Sequence, residues 1–144
     1  MRIEEGIKLD YSDVLFRPKR STLKSRKEVD LNRIYKFKFS NKEWSGIPII
    51  ASNMDGVGEL NVAESLAKYG ILTALTKQYN LDSINKFGII KKIYNFVALS
   101  CGTSKESYDR LNKILSEHSY FQFICIDVAN GYSENFSHFI SSVR

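Results

Sequence analysis

Four apolar runs begin at Ile47, Ile71, Phe96 and Phe121, about 25 residues apart, and a helical pattern fills each gap. The runs read IPIIA at 47–51, ILTAL at 71–75, FVAL at 96–99 and FQFICI at 121–126. Their short length and near-continuous apolarity suit strands buried on both faces, as in a parallel sheet. Parallel neighbours need a crossover, and the stripes between the runs supply one. Val62, Leu66 and Tyr69 form the first stripe, with Gly70 as its stop. Ile84, Phe87, Ile90 and Tyr94 form a weaker second. Thr103 and Glu106 have capping-box spacing ahead of Tyr108, Leu111 and Leu115. Phe136, Phe139, Ile140 and Val143 complete the series. The chain is predicted to carry four successive βα units, which build either half of a (β/α)8 barrel or part of a doubly wound sheet. A whole barrel needs about 250 residues, so the 144 here read as the N-terminal half of something longer.

The first 46 residues obey other rules. Tyr35-Lys36-Phe37-Lys38-Phe39 alternates strictly, which predicts a strand with one buried face. Val14-Leu15-Phe16 reads as a short apolar anchor before Pro18. The expectation is an irregular leader over 1–46, with short strands, covering one end of the barrel. Trp44-Ser45-Gly46 is the expected junction with the four units of 47–144. The leader holds 12 Lys/Arg against 7 Asp/Glu, whereas the remainder holds 9 of each, so the whole net charge of +5 lies in it. Residues 17–27 contain no acid, and such a run takes phosphates, nucleic acid or an acidic neighbour, or is simply a solvated loop. No aromatic residues interleave with it and no recognition motif appears, which disfavours a nucleic-acid-binding module. Nothing in the sequence reads as a signal peptide or a membrane span, so the chain is read as cytoplasmic. Cys101 and Cys125 form no CxxC, and His118 and His138 lack metal-ligand spacing, so no metal is assigned.

The segments just after the four runs carry the chemistry. They are SNMDGVG at 52–58, TKQ at 76–78, SCGTS at 100–104 and DVANG at 127–131. In parallel strands these ends share one rim. A lysine, two acids, small hydroxyls and glycines would gather there, a rim suited to an anionic, polar, ring-bearing ligand. Each member also has a plainer explanation. Gly56 and Gly58 can open a helix, and they do not fit the dinucleotide pattern G-x-G-x-x-G. Asp127 can be a charge at a helix N-terminus. Asn130-Gly131 signals a hairpin elsewhere, but the stripe from Phe136 argues for a βα loop.

These residues resemble GMP reductase, within the IMP dehydrogenase/GMP reductase superfamily. Residues 8–31, KLDYSDVLFRPKRSTLKSRKEVDL, are similar to its N-terminus; 47–55, IPIIASNMD, to its first barrel strand and loop; 124–134, ICIDVANGYSE, to its cofactor loop. The resemblance runs from Lys8 to Arg144. Lys77 and Phe96 stand too close for the regulatory insert that most IMP dehydrogenases carry there, which favours the reductase. Gly56 departs from the family's usual threonine and is expected to loosen its loop.

The resemblance implies that GMP and NADPH give IMP, ammonia and NADP+. A cysteine thiolate attacks purine C2 and expels ammonia, and hydride then reaches C2. Asp127, Val128 and Ala129 are implied to touch the nicotinamide half of NADPH, Asp127 also assisting ammonia departure. Lys77 is implied to lie along the cofactor, and Ser25 and Arg26 to reach NADPH in a neighbouring subunit of a homotetramer. Ser52 and Met54 are implied to border the GMP/IMP pocket. The family's catalytic cysteine loop, phosphate site and potassium-binding loop match nothing in this sequence, and neither Cys101 nor Cys125 corresponds to that cysteine. The chain is therefore expected to be inactive alone. The alternative is a non-catalytic partner that pairs with a full-length paralogue.

Overall fold

The computed structural model describes residues 5–143. The chain divides into two compact units, Met1–Asp30 and Leu31–Arg144. The described part of the first contains two single-turn 3-10 helices, Tyr11–Asp13 and Arg26–Glu28. Asp10 caps one through a reciprocal box: its carboxylate accepts from Tyr11 N–H at 2.7 Å, and its own N–H donates to Asp13 at 2.8 Å. Ser25 caps the other by accepting from Lys27 N–H at 3.3 Å. The described part of this unit has no strand, and the expected anchor is not buried: the Leu15 and Phe16 side chains are exposed.

The second unit is a five-stranded sheet with helices. Its strands are β1 (Arg33–Lys36), β2 (Glu43–Ala51), β3 (Ile71–Ala74), β4 (Val97–Cys101) and β5 (Phe123–Ile126), side by side in chain order. β1 pairs antiparallel with β2, and β2 through β5 are parallel. Crossovers run through α1 (Leu60–Ala67), the short pair α2 (Leu81–Lys86) and α3 (Ile90–Ile93), and α4 (Lys105–Glu117); α5 (Glu134–Val143) comes after β5.

The two faces of the sheet decide between the two architectures left open by the sequence. Leu75, Val97, Leu99 and Cys101 point to one face and pack with Leu60 and Ala63 of α1, Ile84 of α2, Ile90 of α3, and Leu111 and Ile114 of α4. Leu72, Ala74 and Ala98 point to the other, where among the described residues they are joined by Trp44, Phe123 and Cys125, all from strands. Helices on one face and consecutive strand order are the arrangement of half a (β/α)8 barrel; a doubly wound sheet has helices on both faces and a reversal of order. Among the described residues the sheet is not closed into a barrel.

Several local expectations shift by a residue or a face. The alternating segment at 35–39 is a strand only up to Lys36; the chain then turns through Asn41, at φ +53°, and returns as β2. Trp44-Ser45-Gly46 therefore lies inside β2, paired with Tyr35-Ile34-Arg33. Phe37 at the turn sets its ring edge-on to Phe123 of β5, with centroids 5.8 Å apart, so the hairpin spans the inner face at its N-terminal end. α1 meets the sheet through Leu60, Ala63 and Ala67, while Tyr69 of the predicted stripe is exposed. The alanines at 63 and 67 let the helix lie close. The predicted second helix is two, broken at Phe87-Gly88, although Ile84 and Ile90 are both buried as the stripe requires. Ser104, not Thr103, caps α4, accepting from Ser107 N–H at 3.2 Å. Gly70 ends the turn after α1 at φ +69°, as expected of a helix stop.

Candidate functional site

Strand geometry alone carries four loop segments to the C-terminal edge of the sheet. The last sheet bonds there are Leu75 N–H to Ala98 O and Asp127 N–H to Cys101 O, both 2.9 Å. Beyond them the chain leaves the sheet, and three side chains from three loops converge. Lys77, after β3, places Nζ 2.7 Å from Asp127 Oδ2 and 3.1 Å from Asp127's own carbonyl oxygen. Asn53, after β2, donates its amide to the same carboxylate oxygen at 3.1 Å. The Lys77 ammonium first, and the Asn53 amide second, hold the Asp127 carboxyl below its ordinary range, so it is an anion at neutral pH. Both members of the ion pair keep 43% of their side-chain surface exposed, so a ligand can reach either.

The β2 loop is closed by its own backbone. Val57 and Gly58 N–H both donate to Met54 O, at 3.0 and 2.8 Å, and Thr76 N–H donates to Gly58 O at 2.9 Å. A Cβ at Gly58 would meet Ala74 O at 2.6 Å and Asn53 Cα at 3.0 Å, so only glycine lets this loop lie against β3. Gly56, at φ +76°, sits within a loop that these bonds tie down on both sides. Gln78 extends the tie by donating to Asp55 at 3.2 Å.

α4 contributes a residue that sequence reasoning missed. The Arg110 guanidinium donates one nitrogen to Lys77 O and the other to Ser100 O, the latter at 3.3 Å. A single arginine thus bridges the main-chain ends of β3 and β4. Asn53 was also missed as a site residue. In sequence Arg110 is one more charge on an amphipathic helix, and its contacts are to carbonyls, which no residue pattern encodes.

The remaining expected positions are spread over the rim and the first unit. Val128 is half-buried and Ala129 exposed, directly after Asp127. Asn130-Gly131 is a βα loop: Asn130 accepts from Tyr132 N–H at 3.0 Å, and Ser133 accepts from Phe136 N–H at 3.3 Å where α5 begins. Ser52 and Met54 lie exposed on either side of Asn53. Ser25 and Arg26 belong to the first unit, Ser25 as a cap and Arg26 as an exposed basic residue. Cys101 is buried on the helix side, and burial pushes its thiol above the ordinary range, the reverse of what a thiolate nucleophile needs. Among the described residues, no group of three or more His, Cys, Asp or Glu side chains could hold a metal ion. No helix among them is long and apolar enough to cross a membrane.

A domain described as IMP dehydrogenase / GMP reductase domain matches residues 8–144. The chain belongs to this family. Among similar curated proteins are those named GMP reductase from Buchnera aphidicola subsp. Schizaphis graminum, 51% identical, from Yersinia enterocolitica, 50%, and from Citrobacter koseri, 49%. Each match covers 100% of this chain and 42% of the relative, so the chain spans less than half the length of these family members.

Proposed function

We propose that this chain forms the cofactor-side part of a GMP reductase, which converts GMP to IMP and ammonia at the expense of NADPH. The observation that carries the reading is the Asn53–Lys77–Asp127 cluster at the strand ends, in a chain about half identical to proteins of that name. The donor set suits a nicotinamide nucleotide. A carboxylate anion accepts from ribose hydroxyls or a carboxamide, an ammonium stands beside it, and the half-exposed chain at Val128-Ala129 offers main-chain partners.

NADPH, when bound, supplies the hydride. Asp127 holds the nicotinamide half and accepts a hydrogen bond from the departing amine; Lys77 holds its carboxylate in place for both tasks. Val128 and Ala129 line the same half, and Ser52 and Met54 border the nucleotide. Ser25 and Arg26 reach NADPH bound to a neighbouring subunit of a homotetramer. The nucleophilic cysteine and the potassium loop are assigned to a portion outside these 144 residues, so the chain turns over only with that portion.

The test is NADPH oxidation coupled to loss of GMP, measured on this chain alone and on this chain combined with the remaining portion of the Citrobacter koseri relative. The combination is expected to be active and the chain alone silent. Asp127→Ala in the active combination is expected to lower turnover by about 10²–10⁴-fold. Near-normal turnover in that variant removes Asp127 from the chemistry, and a combination that binds neither NADPH nor GMP removes the reading itself.

A further inference from the structure

We propose that Arg110 is a positioning residue that presents Lys77 to Asp127, resting on the reading of that pair as a cofactor-side element. β3 ends at Ala74, and its last sheet-like bonds are made by Leu75 and Thr76. Lys77 is the first residue past them, so its backbone lies outside the ladder and, among the described residues, no sheet hydrogen bond fixes its carbonyl. Arg110 supplies that donor from α4 and fixes its own position on Ser100 O of β4. The planar guanidinium has two nitrogens aimed in fixed directions and spans two carbonyls at once, which a lysine's single ammonium does only loosely.

The consequence is a closed circuit of three strand ends. Arg110 joins β3 to β4, Asp127 N–H joins β5 to Cys101 O of β4, and the Lys77 ammonium closes back onto Asp127. Lysine is long and carries much rotamer freedom, so a single exposed ion pair alone holds it poorly. With its carbonyl pinned, the Lys77 main chain no longer drifts, and Nζ is kept within reach of both the carboxylate and the carbonyl oxygen of Asp127. Arg110 touches neither ligand nor reacting atoms; it acts through Lys77.

The experiment uses the full chain and reads Asp127 directly. The carboxyl carbon of Asp127 is titrated by NMR in wild type, Arg110→Met, Arg110→Lys and Lys77→Met, and in Lys77→Met combined with Arg110→Met. The expected result is that Arg110→Met moves the Asp127 titration up toward the ordinary carboxylate range, with Arg110→Lys in between. The same substitution in the Lys77→Met background should add nothing. NADPH binding by the chain combined with the remaining portion of the Citrobacter koseri relative, followed by nicotinamide fluorescence, is expected to weaken by about 3-fold in Arg110→Met, the scale of a partly exposed ion pair. An Asp127 titration unchanged in Arg110→Met overturns the proposal. So does an Arg110→Met effect that persists at full size without Lys77. If Arg110→Met does not fold, Arg110→Lys decides, because a wild-type titration there shows that the two-carbonyl fork is dispensable. If the chain combined with the remaining portion of the Citrobacter koseri relative does not bind NADPH while Asp127 still responds to Arg110, the clamp stands and the cofactor reading falls, so the two failures are distinct.

Discussion

Lys77 and Asp127, 50 residues apart in sequence, form a 2.7 Å ion pair across the gap between the ends of β3 and β5. β4 lies between those strands, so the pair reaches over a neighbour rather than joining adjacent ends. That is geometrically open only to a long side chain answering an acid from the same rim.

The pair makes stability depend on acid and salt with a definite sign. The folded-state pKa of Asp127 is depressed, so its stabilisation is fully present above the unfolded value, about 4, and is lost as pH falls through the folded value. Because both partners are partly exposed, the effect is modest and screened. Urea midpoints measured against pH should fall more steeply below about pH 4 in wild type than in Asp127→Asn. The difference should shrink in 1 M salt, where the Debye length is about 3 Å. Equal slopes would mean that the pair is not formed in solution.

Gly56 and Gly58 separate two reasons for glycine within one loop. A Cβ at Gly56 meets nothing within 4 Å, and only its φ of +76° disfavours a side chain. A Cβ at Gly58 would strike backbone at 2.6 Å. Gly56→Ala should cost about 1 kcal/mol, the ordinary expense of a left-handed residue. Gly58→Ala should cost about 1–3 kcal/mol and also displace Asn53 from Asp127. Denaturation midpoints check the energies, and the Asn53 side-chain amide resonances check the displacement.

The central strands β3 and β4 were legible because they are buried on both faces, which leaves apolar runs that need no partner to be recognised. β5 and the second half of β2 were legible as apolar runs although β5 is only half-buried and Ile49 and Ile50 of β2 are exposed. The runs at 71–75, 96–99 and 121–126 overlap β3, β4 and β5 closely. The first half of β2 was not legible, since Glu43-Trp44-Ser45 is neither apolar nor alternating and extends only because β1 pairs with it. The break at Phe87-Gly88 was hidden by a stripe that continues across two short helices. At the rim, strand-end logic located Lys77 and Asp127, but Asn53 and Arg110 depend on side-chain reach and main-chain carbonyls, which become visible only in three dimensions.

Tyr120→Phe should destabilise the second unit by about 1–2 kcal/mol. His118 is buried and has both ring nitrogens engaged, Nε2 with Asn85 Oδ1 at 2.7 Å and Nδ1 with the Tyr120 hydroxyl at 2.8 Å. An amide oxygen only accepts, so Nε2 carries the proton and Nδ1 accepts from Tyr120. Removing that hydroxyl leaves a buried acceptor alone while the ring packing on Phe121 and Tyr94 remains. The thermal midpoint measures the loss, and an unchanged midpoint would mean that water replaces the hydroxyl without cost.

Thr73→Val should raise stability by about 1 kcal/mol, against the usual direction for a substitution at a fully buried site. The Thr73 side chain has no exposure, and its hydroxyl has no hydrogen-bond partner among the described residues. It stands on β3 between Leu72 and Ala74, which face the inner side, so it points toward the helices. Valine keeps the branched shape and the strand preference while removing an unmatched polar atom. The Ser100 hydroxyl is likewise buried and unpartnered among the described residues, but it lies on the opposite, inner face beside Cys125 of β5. Ser100→Ala is therefore the control. Urea denaturation of both variants should give a gain at Thr73, and a loss there would show that the Thr73 hydroxyl finds a partner in solution.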